Sequence, residues 1–261
     1  MNDYQEIIIG EFLLEKTYNT LNAGKKLREF IKKIDPNLST DLVFNYNRVR
    51  HNLNKTYAFC LTEEMANDKY GRLSIWRAYV PKNGVALILN IETFIKETNK
   101  TRAFTMPMFY YDLDEFAEKF EVFANNLEEY LNKVNNIDEF EESKFLHNKF
   151  LITVLSLKHK GFEEEKEWRI LYNDEIYPAD NFVKEKIEIL NGVPRIVKIL
   201  NFEALNDDTY YTKLNDVLHK IIIGPSDNPK QLQEIFIKKL VENGVNNAES
   251  KVIISEIPVR I

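Results

Sequence analysis

Three groups of residues in this chain have types and spacings that could do chemistry. The first lies in Gly161-Phe162-Glu163-Glu164-Glu165-Lys166-Glu167-Trp168-Arg169-Ile170-Leu171-Tyr172. Read as a strand, its side chains alternate sides with period two. Glu165, Glu167 and Arg169 then share one face, and Lys166, Trp168, Ile170 and Tyr172 share the other, which is mostly apolar. Carboxylates at i and i+2 lie ~7 Å apart on such a face. Like charges that close raise one pKa, which suits a general base or an acceptor for a hydroxyl, whereas Arg169 favours ionisation. The same face read as an exposed row of charges contributes little. Both readings stand at this point.

The second group is Thr62, at the end of an apolar run, with Trp76 and Tyr79 three apart. Two such aromatics stack on a base or ring, or else pack in the core. The third is Gly224-Pro225-Ser226-Asp227-Asn228 leading into a helix. Free backbone N–H groups at a helix start make an anion site, although every helix start must satisfy those groups somehow. Two weaker signals complete the set. Glu164-x-Lys166 has the E-x-K form of metal-dependent nucleases, with Asp112 as the upstream acid it would need. Arg48, Arg50 and His51 form a basic spot, read either as a solvated face or as a ligand contact.

Several elements must position these groups. Glu6 to Phe12 reads as a short strand or a helix end, and Leu21, Leu27, Phe30, Ile31 and Ile34 recur at helical spacing until Pro36. Tyr57 to Leu61 reads as a buried strand, and Leu73 to Val80 precedes a turn at Pro81-Lys82-Asn83-Gly84. Val85 to Leu89 reads as a central strand and Phe104 to Tyr111 as a strand that Pro107 makes peripheral or bulged. From Asp114 the period changes. Phe116, Phe120, Phe123, Leu127, Tyr130, Leu131 and Val134 mark an amphipathic helix ending near Asn135-Asn136. Asp138 caps a second helix that runs to about Lys160, with Gly161 at its C-terminal cap. Lys184 to Leu200 is broken by Asn191-Gly192, a type I′ hairpin signal, and Pro194 sits near the start of its second strand. Lys220 to Gly224 reads as a buried strand. Asn228, Pro229 and Gln231 open a helix that Asn243-Gly244 ends, and Val252 to Ile257 is a last strand. The expected fold is α+β: a mixed or antiparallel central sheet, a helical-hairpin insertion over 113–160, a C-terminal strand-helix-strand unit, and one domain over 1–261.

Composition narrows the function classes. The 261 residues are 44% hydrophobic, enough for a sizeable core. The net charge of −6 disfavours a non-specific nucleic-acid or membrane-surface binder. The single cysteine, Cys60, allows no intrachain disulfide and fits a reducing cytoplasm. No signal peptide opens the chain and no apolar run approaches the ~20 residues of a membrane span. P-loop, G-x-G-x-x-G, H-E-x-x-H, C-x-x-C and G-x-S-x-G motifs are absent, and the four histidines lack metal-ligand spacing, so no metal site is expected.

One resemblance covers much of the chain. Phe59-Cys60-Leu61-Thr62, Ile75-Trp76-x-x-Tyr79, Gly84-Val85-Ala86-Leu87, Lys160-x-Phe162-x-x-Glu165-x-Glu167-x-Arg169-Ile170 and Ile221-Ile222-Ile223-Gly224 follow in an order similar to bacterial domain-of-unknown-function family 2971. The likeness runs from about Tyr57 to the C-terminus, and the family name carries no activity. Strand-borne Glu-x-Glu also resembles the third signature of ADP-ribosyltransferases, in which the later Glu holds a ribose hydroxyl of NAD and the earlier helps activate the acceptor. That likeness implies Glu167 as principal carboxylate, Glu165 as its helper, and the Thr62 strand end in place of the Ser-Thr-Ser signature; beside it, Trp76, Tyr79 and Arg169 are the other candidates for substrate contact. Cys60 and Leu61 depart from the polar residues expected beside Thr62, and Arg48, Arg50 and His51 are the candidates for the first signature. The implied function is an NAD-consuming transferase or glycohydrolase, a toxin or phage-defence effector, with NAD as substrate and a small-molecule or nucleotide ligand. A metal-dependent nuclease and a non-catalytic binding module stand beside it. In the last case Glu165, Glu167 and Arg169 are a solvated face or a structural ion network.

Overall fold

The computed structural model describes residues 4–34, 53, 55–65, 68–80, 83–90, 92–95, 103–133, 139–174, 183–190, 192–200 and 214–257. Arg48, Arg50, His51, Asn135, Asn136 and Asp138 lie outside them. The fold is α+β. Contacts divide the chain into two compact units, the first made of residues 1–61 and 106–178, the second of 62–105 and 179–261.

The first unit joins helices to a small sheet. Helices α1 (Tyr4–Thr20) and α2 (Asn22–Ile34) open it. Glu6 to Phe12 is therefore helical, but it lies in the first half of α1 and is neither the short strand nor the helix end that its apolar pattern suggests. The strand β1 (Thr56–Thr62) follows, and the chain later returns to this unit through β3 (Phe104–Pro107) and β4 (Phe109–Tyr110). Pro107 closes β3, and Met108 interrupts the ladder by donating to the Glu167 carbonyl at 2.8 Å. The long helices at Leu113–Lys133 and Glu139–Ser156 both pack on α1. Tyr18 meets Phe150 edge-on with ring centroids 5.5 Å apart, and Phe116 and Phe120, both buried, pack on each other at 5.9 Å. Of the aromatic stripe, Phe116, Phe120 and Phe150 are core.

The second long helix stops at Ser156, four residues before the expected end. Leu157–Lys158 leaves it as β5, a two-residue strand pairing parallel with β4, with Lys158 opposite Tyr110. Gly161 accordingly caps no α-helix; it belongs to a 3₁₀ turn over Lys160–Glu165. Lys166 follows in the left-handed region, φ 43° and ψ 53°, and only then does β6 (Glu167–Asn173) begin. The stretch is not one strand. β6 is the middle of a three-stranded sheet, order β1-β6-β3, so both its edges are paired, and every residue except Trp168 is buried. Glu6 of α1 and Lys158 of β5 close over Glu167 and Arg169, which is why the expected acidic outer face does not exist. β1 is more open than an apolar run implies: Phe59 and Cys60 are exposed.

In the second unit, β9 (Leu218–Ile223) lies between antiparallel β2 (Val85–Leu89) and parallel β10 (Val252–Ile254). Its continuous aliphatic run is buried. β2 is an edge of this sheet, not its centre. The helix over Pro229–Glu242 links β9 to β10 and covers the sheet with Leu240 and Phe236. This is the strand-helix-strand unit that the sequence implies. Asn228 makes no side-chain cap bond, and the helix ends with Val245 donating to the Leu240 carbonyl. Leu73–Tyr79 is a short helix. β7 (Val183–Leu190) and β8 (Val193–Leu200) form the expected hairpin, with Leu190 opposite Val193 and Gly192 at φ 78°. A positive φ there costs an L-residue about 1 kcal/mol, which glycine avoids.

Candidate functional site

The densest charge in the described residues is buried in the first unit and centres on Lys158. The early helix stop and the β4–β5 bridge place its side chain inward, where it is 4% exposed. Its ammonium contacts Glu165 Oε2 at 2.6 Å, Glu167 Oε2 at 2.7 Å and Glu6 Oε1 at 2.9 Å. Arg169, also buried, donates from Nε to Glu167 Oε1 at 2.6 Å and from Nη1 to the Leu155 carbonyl at 3.1 Å. Its Nη2 pairs with Glu6 Oε2. Three carboxylates thus bind two cations. Phe162 lays its ring 5.0 Å from the Lys158 ammonium, in the geometry of a cation–π contact.

Local structure explains each arm. Glu6 stands in the first turn of α1, where a negative side chain also suits the helix dipole. Gly10 lets α1 lie directly on the helix at Glu139–Ser156, since a Cβ there would sit 2.4 Å from the Val154 carbonyl oxygen. The left-handed turn at Lys166 throws its own side chain outward. It also lets Glu165, from the 3₁₀ turn, and Glu167, from the strand, converge on one ammonium without sharing a strand face. The Glu167 backbone N–H donates to the Tyr110 hydroxyl at 2.8 Å.

Electrostatics favour the charged forms of Glu167, Lys158 and Arg169. Burial alone would raise the Glu167 carboxyl, but hydrogen bonds from Arg169 and Lys158 outweigh it and hold the group below the usual carboxylate range. Burial works against charge on Lys158 as well; its contacts with Glu165, Glu167 and Glu6 reverse that and hold the ammonium well above its ordinary value. Arg169 is raised in the same way, desolvation being overcome by Glu167. The Cys60 thiol donates to Glu167; desolvation and that carboxylate push it up to about 12. Burial likewise raises Tyr110.

Of the residues singled out by sequence, Glu165, Glu167 and Arg169 come together here. Thr62 ends β1, where the chain passes from one unit to the other, and Trp76 and Tyr79 lie in the second unit. Trp76 is buried there, its indole N–H donating to the Tyr70 carbonyl at 2.8 Å, and its ring fills the space above Gly224. Tyr79 and Thr62 are exposed. Glu164, Lys166 and Asp112 are exposed too, and no group of three side chains placed to hold a metal ion is found among the described residues. Sequence reasoning missed Lys158 and Glu6. Lys158 fell inside a helical period that continues past the real stop, and Glu6 is 152 positions before it. No local signal joins them.

The family model described as a protein of unknown function (DUF2971) matches residues 75–170. That span holds Trp76, Tyr79 and all of Glu165 to Ile170; it begins after Thr62 and ends before β9. The resemblance seen in the sequence is therefore matched over its most distinctive stretch. No curated protein and no solved structure matches the chain. No helix among the described residues is long and apolar enough to cross a membrane.

Proposed function

We propose that the protein is a non-catalytic binding module and that the Glu-x-Glu-x-Arg stretch is the ionic keystone of its first unit. One observation carries this reading: Glu167 is 6% exposed, and its carboxylate already accepts from Arg169 on one oxygen and from Lys158 on the other, with the Cys60 thiol as a further donor. A carboxylate that holds a ribose hydroxyl, or acts as a general base, must lie within hydrogen-bond reach of its partner. Here the carboxylate is buried among fixed cations, which leaves a substrate little surface to approach. Removing one member of such a buried set leaves an uncompensated charge and costs about 3–5 kcal/mol.

The competing reading is an NAD-consuming ADP-ribosyltransferase or glycohydrolase, and any toxin or phage-defence role goes with it. The observation in its favour is that Glu167 is held ionised beside a second carboxylate, Glu165, which is less deeply buried. The test is incubation of the purified protein with NAD, with nicotinamide release as readout. As a binding module the protein releases none. Release that is lost in both Glu167→Gln and the more peripheral Glu165→Gln, with circular dichroism unchanged, overturns the proposal. No described observation favours the nuclease.

A further inference from the structure

Toward its turn, the β7–β8 hairpin presents an apolar patch that no described element covers; farther along the same side lie the Glu185–Lys198 ion pair and the buried Val183. Ile187, Ile189 and Ile196 are 68%, 72% and 50% exposed, and they share one side of the ribbon, Ile187 opposite Ile196 and Ile189 opposite Pro194. No other described element packs substantially on the ribbon. A two-stranded ribbon of this kind is marginal in water; three or more strands give a sheet independent stability.

Among the described strands β7 pairs only with β8, and its other edge is specified in detail. Pro194 has no N–H, so the Ile189–Pro194 pair exchanges no ladder hydrogen bonds. By the alternation of an antiparallel ladder, Glu185, Ile187 and Ile189 then direct their backbone N–H and C=O groups away from β8. That edge reads Lys184-Glu185-Lys186-Ile187-Glu188-Ile189-Leu190. Laid antiparallel on itself with Ile187 at the centre, it sets Ile187 against Ile187 and each Lys186 against a Glu188. The same centre puts Glu185 opposite Ile189, so no like charges meet. Shifting the centre to Lys186 opposes two lysines, and shifting it to Glu188 opposes two glutamates; both are penalised. Within one chain Lys186 already meets Glu188 at 2.5 Å, so the paired edges would gather four alternating charges.

We infer that two copies of this chain associate through the edges of β7, antiparallel and centred on Ile187, to make one four-stranded sheet. The occupant of the edge is a second copy because the strand is complementary to itself in charge and in backbone polarity. The six isoleucines then lie side by side on one face. This inference does not depend on the module being catalytic or not. The interface is small, so the association is concentration-dependent rather than obligate.

Sedimentation equilibrium over a range of concentrations tests it. The full chain is expected to show a monomer–dimer equilibrium. Lys186→Glu or Glu188→Lys alone opposes like charges twice across the two-fold and weakens the dimer about tenfold. The double variant Lys186→Glu/Glu188→Lys restores it, while Ile187→Lys abolishes it. Circular dichroism confirms that each variant keeps its fold. A monomer at every concentration overturns the inference. So does a dimer indifferent to these substitutions, or one that the double variant fails to restore.

Discussion

At the scale of single residues, the behaviour of Glu167 follows from what surrounds it. Glu167→Gln keeps the shape and removes the charge that both Lys158 and Arg169 use. The expected cost is about 3 kcal/mol, read from urea denaturation. The pH dependence has a definite sign. Glu167 titrates lower folded than unfolded, where a Glu sits near about 4.3. Its contribution is thus present above about pH 4.3 and lost as the pH falls through the lower folded value. Lys158 titrates higher folded than unfolded, so its contribution is complete below about 10.4 and lost only as the pH rises through the elevated value. Stability of the wild type should be flat from neutrality to about pH 5 and fall below about pH 4, and in Glu167→Gln that acid limb should flatten. Cys60 adds an independent probe. Its thiol, pushed up to about 12, should react with iodoacetamide at pH 8 roughly tenfold or more slowly than a free cysteine, despite its exposed surface. The type and neighbourhood of Glu165, Glu167 and Arg169 were readable from their spacing. Their burial was not, because it depends on Lys158 and Glu6, which arrive from other elements.

Among the elements, the periods were legible and the interruptions were not. The hairpin at Asn191-Gly192, the helix opened by Pro229 and the strand at Lys220 to Ile223 all lie where local pattern puts them, because each depends on contacts within a few residues. The helix stop at Ser156 and the turn at Lys166 are set by tertiary pairing: β5 exists only because β4 is beside it. Likewise Tyr57 to Leu61 has a strand's composition, but its burial depends on what packs on it. One substitution reads this level directly. Gly10→Ala must push α1 away from the Val154 carbonyl, since the added carbon would fall 2.4 Å from that oxygen. It should cost about 1–3 kcal/mol in thermal or urea unfolding and loosen the Glu6 arm of the network. Glu6→Gln combined with it should cost less than the two separately, because both act on the same contact.

For the molecule as a whole, the chain passes between its two units three times, at 61/62, 105/106 and 178/179. Neither unit is a contiguous segment. The reading of 1–261 as one domain therefore carries a calorimetric prediction: a single unfolding transition whose van't Hoff and calorimetric enthalpies agree. Two resolved transitions would show two domains. Either way, a fragment cut at residue 105 lacks β6, the central strand of the first unit's sheet, and should not fold as that unit.

The network around Lys158 also constrains how sequences of this kind can change. Its five charges come from α1, β5, the 3₁₀ turn and β6, so they belong to four places in the gene and one place in space. A single replacement strands a buried charge, while a matched pair of replacements does not. Drift at positions 6, 158, 165, 167 and 169 should therefore be concerted, like pins of one lock recut together. An alignment of related chains can be scored for that coupling without any knowledge of what the protein binds.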